Sequence, residues 1–95
     1  MKPRWTRRAV ADFDRIAARI AADNPLAAQR LGVAIRRQVD HLARFPFLGR
    51  PGALSDTREL IVHRNYILTY RVHGDEVQVL QLWHVARNQS RGKRG

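Results

Sequence analysis

Cysteine is absent from these 95 residues. Disulfides, thiolate metal sites and cysteine nucleophiles are therefore excluded. His41, His63, His73 and His84 are scattered, with no paired spacing on one helix. No metal site is expected from them, and no cofactor. Apolar runs are only a few residues long, too short for a membrane span. Met1-Lys2-Pro3-Arg4 is basic, but no apolar stretch follows it. A secretory signal is not expected, and the expected location is the cytoplasm. Acidic residues are scarce, 8 against 18 basic ones, for a formal charge of +10. Lysine is scarcer still, confined to Lys2 and Lys93. A GC-rich genome would explain arginine in place of lysine, but not the shortage of acids. The excess points to an anionic partner, either nucleic acid or an acidic protein.

A chain of this length makes one domain, burying roughly 60–65% of its unfolded surface. The domain is expected over residues 1–90, with a basic, disordered tail over 91–95 (Arg91-Gly92-Lys93-Arg94-Gly95). Lys2 to Trp5 reads as a short edge strand with Pro3 near its start. Thr6 can cap a helix in which Val10, Phe13, Ile16, Ala17 and Ile20 recur at helical spacing. Arg8, Asp12, Arg15 and Arg19 lie off that stripe. Asp23-Asn24-Pro25 stops the first helix and opens a second, with Asn24 as cap and Pro25 at the first helical position. The second helix carries Ala28, Leu31, Ile35, Val39 and Leu42 on one stripe and ends at Phe45-Pro46. Gly32, inside it, implies a close approach of the first helix, since glycine there costs ~1 kcal/mol relative to alanine.

Residues 47–56 read as a loop punctuated by Gly49, Pro51 and Gly52. Three strand-like runs follow, Thr57–Val62, Tyr66–Val72 and Glu76–Val85, joined by turns at Arg64-Asn65 and Gly74-Asp75. The expected fold is α+β: a short N-terminal strand and an antiparallel helical hairpin packed on an antiparallel sheet. Two-residue turns would set Tyr70 opposite Val79 and Leu68 opposite Gln81, with Tyr66 opposite Trp83. They would also set Glu59 opposite Tyr70 and Ile61 opposite Leu68. Arg58, Arg71 and Gln78 would then share a row on the other face, where an anion could relieve the repulsion between the arginines. That face would carry an apolar centre that two helices cannot cover.

Gly49-Arg50-Pro51-Gly52 lacks the Lys-Ser/Thr and the helix of a phosphate-cradling loop and reads as a turn with an exposed Arg50. His84 and Arg87 end the last strand. A histidine beside arginines could move a proton in RNA cleavage while the arginines stabilise phosphorane charge. The plainer reading of His84 is a sheet-end histidine with one hydrogen bond. Ser55, Thr57 and Ser90 have no Asp-His partners at a recognisable spacing.

The Trp5 strand, Asn24-Pro25, Gly49-Arg50-Pro51-Gly52, Thr57-Arg58-Glu59-Leu60, Tyr70-Arg71-Val72 and His84-Val85-Ala86-Arg87 together resemble the RelE/ParE superfamily. The Asn24-Pro25 and Gly49–Gly52 elements are closer to the ParE branch, the plasmid stabilisation proteins. The resemblance implies a type II toxin neutralised by a cognate ParD-like or RelB-like antitoxin. For the ParE branch it implies action on DNA gyrase; for the RelE branch, metal-free cleavage of mRNA on the ribosome. In the nuclease case the residues that carry over are His84, Arg71, Arg87 and Arg58, and no tyrosine follows the last strand. Contacts with target or antitoxin are expected among Arg15, Arg19, Arg50, Arg58, Arg71 and Arg87.

Overall fold

The computed structural model describes residues 1–86. Arg87 and the expected basic tail lie outside the described residues. The first strand, β1 (Lys2–Trp5), leads into helix α1 (Arg7–Asp23). Thr6 caps α1: its Oγ1 accepts the Ala9 N–H at 3.2 Å. The same hydroxyl donates to a carbonyl of the last strand, Val79 O, at 3.0 Å, so cap and strand are tied at one atom. Asn24 alone separates α1 from α2 (Pro25–Arg44). It closes the first helix through its N–H to Ile20 O and opens the second by accepting the Ala27 N–H at 3.0 Å.

Helix α2 buries the five residues its periodicity marks: Ala28, Leu31, Ile35, Val39 and Leu42. Gly32 lies where an added Cβ would sit 3.4 Å from the Phe13 ring. The first helix therefore approaches α2 closely at Gly32, with the Phe13 ring at contact distance. Helix α1 is rotated from the expected stripe. Ala9 and Asp12 are its buried residues; Phe13, Ile16 and Ile20 pack partly buried against the core, and Val10 is exposed.

The sheet has five strands: β1, β2 (Arg50–Pro51), β3 (Arg58–His63), β4 (Tyr66–His73) and β5 (Glu76–His84). Their order is β1-β5-β4-β3-β2. Strands β2 to β5 are antiparallel. The sheet is mixed, because β1 joins the edge parallel to β5, with Trp5 opposite Val79. The loop over 47–56 is not wholly irregular, since β2 lies within it and pairs with β3.

Two bulges overturn part of the expected register. Near the Gly74-Asp75 turn, Arg71 faces Gln78 and Tyr70 faces Val79, as two-residue geometry requires. The next pair is Thr69 with Gln81, so Leu80 is an extra residue in β5. Leu68 therefore faces Leu82 and Tyr66 faces His84. In β3 the shift falls between Ile61 and His63, making Val62 the extra residue. Leu60 then faces Leu68, Ile61 faces Ile67, Glu59 faces Thr69, and Arg58 faces Tyr70 rather than Arg71. Each bulge moves every later side chain by one position. The result sorts the rows better than the regular register would. Leu60–Leu68–Leu82 lies on the helix side, and Ile61–Ile67–Trp83 on the other. On that second face, away from α1 and α2, Ile67 and Thr69 are buried, and the Trp83 indole N–H donates to Thr69 Oγ1 at 3.0 Å.

Candidate functional site

Among the described residues, the basic side chains singled out from the sequence fall into two groups at opposite ends of the strands. At one end, Arg58 and Arg71 line a surface hollow of about 450 Å³, together with Phe47, Thr57 and His73. They do not share a face of the sheet. The Val62 bulge sets Arg58 opposite Tyr70, and Arg71 is the next residue along β4. The expected like-charged cross-strand pair is therefore absent. Arg71 instead donates from Nε to Gln78 Oε1 at 2.8 Å.

Arg58 is committed to the loop. Its Nη1 donates to Gly49 O at 2.7 Å and Phe47 O at 3.4 Å, and its guanidinium lies 5.0 Å from the Phe47 ring centroid. Tyr70 holds the same loop from beneath. Its buried hydroxyl donates to Pro46 O at 2.9 Å and accepts the Gly49 N–H at 2.8 Å. Burial pushes the Tyr70 phenol above its ordinary value, opposed by the Gly49 hydrogen bond and the Arg58 charge. Gly49 has no room for a side chain, since an added Cβ would lie 2.8 Å from both Glu59 O and the Tyr70 hydroxyl. The sequence marks Gly49 as a turn residue, but nothing in it announces that Tyr70 is the anchor. Arg50 is exposed and sits 3.6 Å from Glu59 Oε1. Anchored in this way, the loop displays Phe47, Leu48 and Leu54 to solvent.

At the other end, a second hollow of about 300 Å³ gathers Arg15 and Arg19 from α1 with Tyr66 and His84 from the paired ends of β4 and β5. Ile16 and Leu82 also line it. The Tyr66 and His84 rings meet edge to face, with centroids 4.9 Å apart at 82°. His84 Nδ1 accepts the Ala86 N–H at 3.1 Å. That hydrogen bond leaves the proton of the neutral ring on Nε2. Arg15 is fixed by Asp12, with Nη2 to Oδ1 at 3.0 Å, and Arg8 Nε donates to the same oxygen at 3.3 Å. Arg19 forms no ion pair with a described acidic residue. Asp12, which holds Arg15 beside the hollow, and Tyr66, which lines it, were not named as site residues from the sequence. The signal for Asp12 was its place between Arg8 and Arg15 at helical spacings of four and three.

His84 and Arg71 are five residues apart in β4 register, because His84 faces Tyr66. That is roughly 16 Å along the strand. Arg58, Arg71 and His84 therefore do not converge on one phosphate.

The helical hairpin has a concave surface of its own. A shallow groove runs between the helices, floored by Phe13, Ala17, Ala28 and Gly32 and flanked by Val33 and Arg36.

A family model described as the ParE toxin of the parDE type II toxin–antitoxin system matches residues 4–89. Y4kP of Sinorhizobium fredii is 44% identical over 82 residues, covering 85% of this chain and 84% of that protein. The toxin RelE2 of Caulobacter vibrioides is 39% identical over 83 residues, covering 87% and 93% of the two chains. A solved structure of a chromosomal ParDE toxin–antitoxin system from P. aeruginosa superposes with a TM-score of 0.78 at 31% identity, over 88% of this chain and 95% of that one. The chain thus belongs to the ParE family of type II toxins, within the RelE/ParE superfamily.

Proposed function

We propose that this toxin acts as a ParE-like inhibitor of DNA gyrase in the cytoplasm, by binding rather than by cutting RNA. The observation that carries the reading is the separation of Arg58 and Arg71 from His84, three of the four residues that carry over in the nuclease case. Arg58 holds the 47–56 loop, Arg71 bonds Gln78, and His84 stands at the far end of β4. General acid–base cleavage of a phosphodiester needs a proton carrier and charge stabilisers within hydrogen-bond reach of one phosphate. The likeness to the P. aeruginosa ParDE structure supports the same branch. The name of the Caulobacter relative, RelE2, keeps ribosome-dependent mRNA cleavage as the second reading.

A ParD-like or RelB-like antitoxin would regulate the toxin. The interhelical groove fits an amphipathic helix, since it has a small-residue floor and Arg36 on its rim. Acidic side chains on such a helix would meet the +10 charge. Residues 1–90 would act as one functional domain. Induction of the chain without its antitoxin tests the target. Arrested replication and DNA breaks with intact bulk mRNA support gyrase, and codon-specific mRNA cuts overturn it.

A further inference from the structure

We propose that the hollow formed by Arg15, Arg19, Tyr66 and His84 binds a nucleoside phosphate unit, independently of whether gyrase is the target. Arg15 and Arg19 are one helical turn apart and line the same cavity. Like charges at that spacing repel on an isolated helix. An anion between them removes the cost. Asp12 offsets part of the charge and does something more specific: it holds the Arg15 guanidinium in place through a 3.0 Å contact. A cation already fixed loses less freedom when an anion binds. Arg15 and Arg19 line the hollow and, among the described residues, only Arg15 is paired, to Asp12, so the site stays cationic.

The rest of the lining favours a nucleoside over a bare anion. Ile16 and Leu82 are apolar, and the Tyr66 ring is braced at 82° against His84. A planar base can lie against such a surface, since base–aromatic stacking tolerates any sequence. Ala86 N–H donates to His84 Nδ1, which holds the ring that Tyr66 packs against. The cavity, about 300 Å³, is at the lower end of small-ligand sites. It suits one nucleotide and excludes a helix. A free mononucleotide and one unstacked nucleotide of a single strand share this chemistry.

The test is an amide-resolved NMR titration of the full chain at physiological salt with adenosine monophosphate, inorganic phosphate, adenosine and a short oligothymidylate. Saturable shifts at Ile16, Tyr66 and His84 are expected with the mononucleotide, the oligonucleotide or both, which identifies the source. Arg19→Ala should weaken binding about tenfold or more, as loss of a charge-assisted hydrogen bond does. Arg19 is exposed, so the variant should fold. Arg30→Ala, an exposed charge on α2, is the control and should change affinity little. The proposal fails if neither nucleotide probe shifts these residues. It also fails if Arg30→Ala costs as much as Arg19→Ala, which would mean attraction to net charge alone. Inorganic phosphate binding as tightly as the mononucleotide would overturn the nucleoside part.

Discussion

Asp12 on α1 accepts the buried backbone N–H of Leu82 on β5 at 3.1 Å. The contact satisfies a donor on β5 beyond the reach of β1. Strand β1 ends at Trp5 opposite Val79, so among the described residues that side of β5 beyond Val79 has no strand neighbour. A carboxylate from the helix above takes the donor. Its second oxygen receives Arg8 and Arg15, so the buried acid is satisfied on both oxygens, as a buried charge must be.

Asp12→Ala should therefore destabilise the fold by about 1–3 kcal/mol, the cost of an unpaired buried N–H. Asp12→Asn should recover most of that loss. The amide oxygen can still accept from Leu82, and ion pairs to exposed arginines contribute little. Urea unfolding of the two variants checks this. Equal loss in both would mean that the ion pairs, and not the Leu82 contact, carry the effect.

The core of α2 gives a larger expected effect. Leu31 and Ile35 are each 1% exposed. Truncating either to alanine should cost about 2–5 kcal/mol, much of the stability of a domain this small. Thermal melting should fall by roughly 10 °C or more at that scale. A shift of a degree or two would show that the stripe does not form the core.

How much of this was legible depends on period. The α2 stripe, the Asn24-Pro25 junction and the small residue at Gly32 follow from the 3.6-residue repeat and from capping chemistry, and all three stand in the structure. Register was legible only up to the first bulge. Leu80 and Val62 are ordinary strand residues, and nothing in their side chains signals an inserted position. That single-residue ambiguity separated Arg58 from Arg71. Asp12 was hidden for a different reason. A helical repeat identifies apolar residues, and a buried carboxylate breaks the pattern while lying on the same face as Ala9 and Ile16. Tyr70 was correctly placed against Val79, but its partners Pro46 and Gly49 are 24 and 21 residues away, beyond any local pattern.

Tyr70→Phe should cost about 1–3 kcal/mol, because it strands the Gly49 N–H and the Pro46 carbonyl. It should also change the alkaline limb of stability. The Tyr70 phenol is raised above the ordinary tyrosine value of 10.0 in the folded protein. A raised value means that the unfolded chain releases this proton first. The contribution of Tyr70 is then fully present below pH 10 and lost as pH climbs through the higher folded value. Wild type should lose stability above pH 10 more steeply than Tyr70→Phe. Parallel pH profiles for the two proteins would contradict the assignment.

His84→Ala separates the two target readings. In a gyrase inhibitor no proton transfer is required, so the variant should remain toxic when induced without antitoxin. Replication should stop, DNA breaks should accumulate, and bulk mRNA should stay intact. Any loss of toxicity should then be matched by a loss of stability, because His84 packs against Tyr66 and accepts from Ala86. In a ribosome-dependent nuclease the same variant should slow mRNA cleavage by roughly 10²–10⁴-fold, the scale of a lost general acid or base. Arg71→Gln adds an independent check. Arg71 is exposed and bonded only to Gln78 in the described contacts, so the variant should fold. A nuclease that stabilised its phosphorane through Arg71 would lose rate. The distance of roughly 16 Å along β4 between Arg71 and His84 argues against both acting on one phosphate. Codon-specific mRNA cleavage lost in both variants, with folding intact, would make the chain an enzyme and end the gyrase reading.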